Sequence, residues 1–284
     1  MQSSIWLDYF ENLTPEEAVA NLRDAGFSCG ELSVDHSRML QARGVDVEKT
    51  GLAFRSYLEN NGFALPQGHL DFQKDLTAPE TVDIFKRELT LFQAVGVKHA
   101  MIHINGSEDL PEQQQKDIQL SRLRELLDFI KGSDISICIE NLRPNPAVAD
   151  ATKILWWIEQ LGGKNLGICL DTGHLHVANI SKKTTTQTQA EFIHTAGNYL
   201  KATHINGNDG TDDYHLAPFA IKNSVDFRQV VTALRDIGYQ GLFNLEIPGE
   251  IKGNPPLYVL QRKIRYLREL ADFMISDAFQ EANS

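Results

Sequence analysis

Six short apolar runs in this chain each stop on a histidine or a carboxylate. They are Gly-His-Leu at His69, Ala-Met-Ile-His at His103, Ile-Cys-Ile-Glu at Glu140, Ile-Cys-Leu-Asp at Asp171, Ala-Thr-His at His204 and Phe-Asn-Leu-Glu at Glu246. Successive stops lie 31 to 42 residues apart, about what one strand, one helix and two loops require. In a closed barrel of parallel strands every C-terminal strand end opens on one face, so residues remote in sequence converge there. Glu140, Asp171, His204 and Glu246 would then bring three carboxylates and one imidazole together. That oxygen and nitrogen donor set suits manganese, magnesium, cobalt or zinc better than copper or an iron–sulfur centre. A single strand-end carboxylate could equally cap a loop; four at matching spacings read as a ligand shell.

Five further residues fall at the same rim. His69 and His103 end their own runs, His174 follows Asp171 by three positions, and Asp213 and His215 lie in the loop after the seventh strand. Each could ligate metal, bind a substrate hydroxyl, or steady a ligand through a second hydrogen bond, and residue type leaves these roles open. Arg143, three residues after Glu140, is the nearest cation and could hold a substrate oxygen or phosphate as readily as face solvent. Glu31, in the expected second strand, and Asp8, at the end of the first, could touch substrate or loop backbone. His99, His176 and His194 lack strand-end context and read as core or surface residues. Trp156 and Trp157 read as helix packing, one ring on the barrel wall and its neighbour outward. No glycine-rich phosphate loop appears, so no nucleotide or organic cofactor is expected.

The elements that must position these residues follow from the same runs. Strands are expected over residues 4–8, 29–34, 63–70, 98–104, 136–140, 165–171, 201–205 and 241–247, with helices between them. Thr14-Pro15-Glu16-Glu17 combines a capping box with proline at the first helical position, and Thr77-Ala78-Pro79-Glu80 repeats that signature. Helices are expected over 47–60, 113–131, 154–161, 228–238 behind an Asp226 cap, and 258–279, whereas the polar, threonine-rich stretch 177–199 reads as a loop or short helix. Eight strand-then-helix repeats make an α/β (β/α)8 TIM barrel. His-Ile-Asn-Gly recurs at 103–106 and 204–207, each time at a strand end.

Composition narrows the function classes. Lysine and arginine number 27 against 38 acids, and a net charge of -11 handicaps any polyanionic partner such as nucleic acid. The 284 residues show no linker or break in composition, which favours one barrel domain over 1–284. Cys29, Cys138 and Cys169 lie in or beside strands and read as buried free thiols of a reducing compartment. The N-terminus lacks a basic start followed by an apolar stretch, and no window has the length of a spanning helix, so a soluble cytoplasmic protein is expected. Fraying is expected from Glu281 to Ser284.

Four stretches carry a resemblance: Ile-Cys-Ile-Glu-Asn-Leu, Gly-Ile-Cys-Leu-Asp-Thr-Gly-His, Ala-Thr-His-Ile-Asn-Gly-Asn-Asp and Leu-Phe-Asn-Leu-Glu-Ile-Pro-Gly-Glu. Over nearly the whole chain the sequence resembles the xylose isomerase-like barrel superfamily, which includes sugar epimerases, inosose dehydratases and endonuclease IV. For ketose 3-epimerases the resemblance implies one divalent ion, often manganese, on Glu140, Asp171, His204 and Glu246. The two glutamates would exchange the substrate proton, and His174 would bind substrate. For the endonuclease IV branch it implies a three-zinc cluster on His69, His103, Glu140, Asp171, His174, His204, Asp213, His215 and Glu246. The chain departs from both branches. Leu-Ala-Pro-Phe-Ala-Ile-Lys-Asn-Ser after His215 is unlike the nuclease loop, and Gly207–Thr211 lacks the epimerases' arginine.

The expected activity is that of a divalent-metal-dependent isomerase or epimerase acting on a sugar, keto-sugar or polyol derivative, with proton transfer next to a carbonyl. The alternatives are a keto-sugar dehydratase or lyase on the same site, a zinc phosphodiesterase acting on abasic DNA, and a non-catalytic sugar-binding barrel. Related barrels often pair, so a homo-oligomer is expected.

Overall fold

A computed structural model describes residues 1–107 and 109–282 of the chain. Its strands are β1 (Gln2–Ile5), β2 (Cys29–Leu32), β3 (Ala64–His69), β4 (His99–Ile102), β5 (Ser136–Glu140), β6 (Leu166–Asp171), β7 (Leu200–His204) and β8 (Leu242–Leu245). All pair in parallel, β2 to β7 in sequential order and β1 with β8. Parallel bridges from Trp6 to Glu31 and from Ile205 to Leu245 close the ring. Strands covered on both faces need apolar residues on both, which is why β5 and β6 read as continuous runs rather than alternating ones. Met101, Cys138, Cys169 and Ala202 pack together as one fully buried cluster contributed by β4 to β7. The register sets Asp171 beside His204 and Glu140 beside Cys169, so the ligand-type residues finish at one level.

The outer layer comprises α1 (Pro15–Asp24), α2 (Val34–Gln41), α3 (Val47–Asn60), α4 (Thr81–Val95), α5 (Glu112–Phe129), α6 (Ala151–Leu161), α7 (Thr172–Ile180), α8 (Gln189–Ala196), α9 (Phe227–Asp236), α10 (Leu257–Ile275) and α11 (Asp277–Glu281). The Thr14 box forms as expected: the Thr14 hydroxyl accepts from the Glu17 amide and the Glu17 carboxylate accepts from the Thr14 amide. Gly26, at φ +98°, turns the chain away just after α1 in a conformation that favours glycine. Trp157 is buried, its indole donating to the Ala147 carbonyl, while Trp156 faces outward.

Three expectations need correction. The Thr77 signature does not open a helix, because the Thr77 amide and hydroxyl both donate to Asp75 Oδ1, and α4 starts at Thr81. Residues 177–199 hold the end of α7, which runs to Ile180, and the expected short helix, α8, which opens on a second capping box between Thr188 and Glu191. The first strand ends at Ile5 and a 3-10 turn over Leu7–Phe10 follows, burying Leu7, Tyr9 and Phe10. Extended backbone at Ser276 divides the expected final helix into α10 and α11. Of the tail expected to fray, Glu281 is in α11, and Asn283 and Ser284 lie outside the described residues. Among the described residues no helix is long and apolar enough to cross a membrane.

Candidate metal centre and active site

Glu140 ends β5, Asp171 ends β6, His204 ends β7, and Glu246 follows β8. One ligand atom from each lies within 4.8 Å of the others. Asp171 is held from several directions. Its amide donates to Asn141 Oδ1 (2.8 Å), its carbonyl accepts from Asn141 Nδ2 (2.9 Å), and Oδ2 accepts from Asn206 Nδ2 (2.7 Å). Its Oδ1 caps α7 by accepting the His174 amide at 2.6 Å, which fixes His174 one turn into that helix. Gly173 is required there, because a Cβ would fall 1.9 Å from Asn206 Oδ1.

His204 is oriented from beneath. Its Nε2 lies 3.0 Å from Glu31 Oε2, which also accepts from Gln67 Nε2 and Asn244 Nδ2 at 2.9 Å each. An oxygen that accepts from two amides accepts from the imidazole as well, so Nε2 carries the proton and Nδ1 presents its lone pair. That lone pair faces Glu140 Oε2 at 3.3 Å and Glu246 Oε2 at 3.4 Å. Buried His204 Nδ1 and Glu246 Oε2 nevertheless have no hydrogen-bond partner. A nitrogen lone pair facing two carboxylate oxygens needs a positive charge among them. A proton on Nδ1 would have no well-aligned acceptor, whereas a divalent ion satisfies all three atoms, so the residues fit the metal that the donor set implies.

The electrostatics separate the two glutamates. Burial alone would raise Glu140, but His204, His103 and His174 outweigh it and hold the carboxyl well below the usual range. Glu246 is pushed up to about 7, chiefly by burial, against the opposing pull of His204 and His215. Burial opposes charge on His204, yet Cys169, Glu246, Glu31 and Glu140 hold it well above the ordinary imidazole value, so a proton occupies Nδ1 until a divalent ion displaces it.

The other rim residues surround this quartet. His69 Nε2 and His103 Nε2 both lie 3.1 Å from Glu140 Oε2, and His69 Nδ1 donates to the Leu70 carbonyl. His174 Nε2 and His215 Nε2 converge on Asp213 Oδ2 at 3.2 and 3.0 Å. Arg143 Nη2 reaches the same oxygen at 3.2 Å. All nine residues expected at the rim are therefore brought together.

Two expectations about substrate contacts change. Glu31 is 1% exposed and lies behind His204, so it steadies the imidazole rather than meeting substrate. Asp8 is engaged by His36 Nδ1 at 2.8 Å and the Ser33 hydroxyl. Arg143 is at the rim as expected, but its guanidinium is turned to Asp212 and Asp213.

Several residues at the site went unnoticed in the sequence. Asn141 and Asn206, one and two positions beyond strand-end ligands, fix Asp171, while Gln67 and Asn244 fix Glu31. Their only signal is a polar residue in or just after an apolar strand. Phe72 was also missed; it is 44% exposed, edge-on to His69 and tilted against His103.

Comparison with known proteins places this geometry. An uncharacterized protein of Methanocaldococcus jannaschii, MJ1311, is 29% identical over 46% of this chain, and the chain spans 43% of that relative's length. The barrel superposes on D-psicose 3-epimerase, solved in the presence of D-fructose, with a TM-score of 0.78 and 17% identity over 97% of this chain and 99% of that one. It also superposes on the IolI protein, solved with a zinc atom bound, with a TM-score of 0.72 and 16% identity over 97% and 98% of the two chains. At such identities these likenesses establish the fold. The xylose isomerase-like TIM barrel family model matches residues 19–270, and the chain belongs to that family.

Proposed function

We propose that this protein is a divalent-metal-dependent isomerase or epimerase acting on a sugar or keto-sugar at the carbon beside its carbonyl. The observation that carries the reading is the unpaired His204 Nδ1, held by Glu31 and flanked by Glu140 and Glu246. Bound on Glu140, Asp171, His204 and Glu246, manganese, or alternatively zinc, cobalt or magnesium, would supply Lewis-acid polarisation of substrate oxygens. The zinc-bearing IolI structure supports a divalent ion at this rim, and the 3-epimerase neighbours support the substrate class.

The two glutamates then divide the proton work. The Glu246 side chain is 18% exposed and that of Glu140 1%, so Glu246 is the one an incoming substrate meets. Glu140 has Oε2 facing three imidazoles and Oε1 within 3.1 Å of His174 Nδ1, a network that fixes its carboxylate. Glu246 takes the proton from one face of the substrate carbon, and Glu140, after taking up a proton from solvent, delivers it to the other face. His174 and His103 orient substrate hydroxyls, and half-exposed Phe72 offers an apolar face for the sugar's C–H bonds. The three buried free cysteines support a cytoplasmic location.

Solvent-deuterium exchange tests this reading. Incubated in D2O with a panel of ketoses and keto-sugars, the metal-loaded protein is expected to incorporate deuterium at the carbon beside the carbonyl of one of them. Glu246→Gln should slow that exchange by about 10³-fold. Exchange at the same rate in Glu246→Gln would remove the base from the reading. Loss of a β-oxygen from the product would convert it to a dehydratase.

The second reading, a zinc phosphodiesterase acting on abasic DNA, is favoured by one observation, the convergence of all nine rim residues. A net charge of -11 and the pairing of Arg143 with two aspartates oppose it. It requires three bound zinc ions and salt-sensitive DNA affinity.

A further inference from the structure

We infer that Arg143 sets how many metal ions the rim holds, its guanidinium supplying the positive charge that a second ion would otherwise bring to His174, Asp213 and His215. The inference rests on the reading that the Glu140, Asp171, His204 and Glu246 quartet binds a divalent ion.

His174 Nδ1 lies 3.0 Å from the Asn141 carbonyl and His215 Nδ1 lies 3.1 Å from the Glu246 carbonyl. A carbonyl only accepts, so each ring donates through Nδ1 and leaves Nε2 as the atom that meets a carboxylate or a metal ion. Both Nε2 atoms point at one atom, Asp213 Oδ2, at 3.2 and 3.0 Å. Two ring nitrogens and a carboxylate oxygen meeting at one place need positive charge among them, which protons on the rings, a guanidinium beside them or a metal ion that displaces the protons can supply. The second oxygen, Asp213 Oδ1, is buried and has no hydrogen-bond partner, which leaves it free to ligate.

Arg143 meets that need from the loop after β5. Its Nη2 lies 3.2 Å from Asp213 Oδ2 and 3.4 Å from Asp212 Oδ1, and the side chain is 23% exposed. An arginine's charge is permanent and is tethered to the site, so a dissolved ion entering this trio must displace it and then sit beside it. Among the described residues no arginine or lysine pairs with the inner quartet, and His204 Nδ1 faces the carboxylates of Glu140 and Glu246. The chain thus carries the donors of an outer metal position together with a side chain that occupies it electrostatically.

The test is zinc binding to the full chain, by elemental analysis after equilibration with buffered zinc chloride and by calorimetric titration, on wild type, Arg143→Gln, Arg143→Lys and Arg143→Gln/His215→Ala. Arg143→Gln is expected to bind one more zinc than wild type, or to bind it at least about tenfold more tightly. Arg143→Lys, which keeps the charge, should match wild type. Adding His215→Ala should abolish the gain, and circular dichroism on each variant would show that the barrel is intact. Equal zinc counts and affinities in wild type and Arg143→Gln would overturn the inference, as would a gain that survives His215→Ala. The two readings separate because the inference is the difference between the variants, whereas the quartet reading is wild type's own count. A wild type without zinc sinks the quartet reading even if Arg143→Gln gains an ion.

Discussion

His204 and His99 are placed on strands of the same barrel, one at the end of β7 and the other at the start of β4, and their environments drive them in opposite directions. Around His204 the burial that opposes charge is outweighed by Glu246, Glu31, Glu140 and Cys169, and the ring is held well above its ordinary value. His215, close by, is raised to about 9 against the same burial, first by its hydrogen bond to Asp213. At the other end of the barrel, burial, Lys201 and Lys98 push His99 down to about 4, and its Nδ1 has no partner. Burial penalises the charged imidazole in both places, so neighbouring charge decides the sign. The C-terminal rim gathers acids until a cation is required, and the opposite end keeps its histidine neutral.

The comparison would break first if the rim did not need a cation. Removing metal with a chelator and restoring it at about 100 times its dissociation constant should recover about 2.7 kcal/mol of stability. In thermal unfolding this corresponds to a rise of about 5–10 °C. An unchanged midpoint on adding manganese, zinc, cobalt or magnesium would mean that the rim balances its charge with protons alone.

A smaller effect tests how His204 is aimed. Glu31→Gln keeps the size of the side chain but presents an amide where Gln67, Asn244 and His204 all donate. Metal affinity should fall about 10- to 100-fold, measured by competition with a chelating dye. Undiminished affinity would show that the buried carboxylate does not select the tautomer.

The smallest effect belongs to His99. A histidine whose folded pKa lies below its ordinary value of 6.5 contributes nothing above that pH, where it is neutral in folded and unfolded chains alike. Stability is then lost as the pH falls toward about 4, because only the unfolded chain takes up the proton freely. Between pH 8 and pH 5 wild type should lose about 1–2 kcal/mol more unfolding free energy than His99→Gln, discounted for the ring's partial exposure. Parallel pH dependence in urea unfolding would place the sign reversal in doubt.

What the sequence made legible was whatever depends on local pattern. The barrel could be read because each core strand is an apolar run ending on a polar residue, and α1 because its capping box is local. The same box at Thr77 misled because Asp75, two residues upstream, competes for the threonine's amide and hydroxyl. Helix α7 is partly hidden in the sequence because its N-cap, Asp171, also reads as a metal ligand; in the structure one oxygen caps the helix and the other is bonded to Asn206. The part played by Glu31 could not be read at all, since it depends on which atom of a remote strand lies above it. Arg143 was recognised as a rim cation, but its partners come from a loop some seventy residues away in the chain.

The most direct test of the account is the metal content of the wild-type protein, purified without added metal or chelator and measured by elemental analysis per chain. One divalent ion, manganese, cobalt, zinc or magnesium, is expected per chain and is lost in Glu140→Gln/His204→Gln. Three zinc ions per chain would contradict it in favour of the phosphodiesterase, and a chain that binds no divalent ion at any concentration would contradict both.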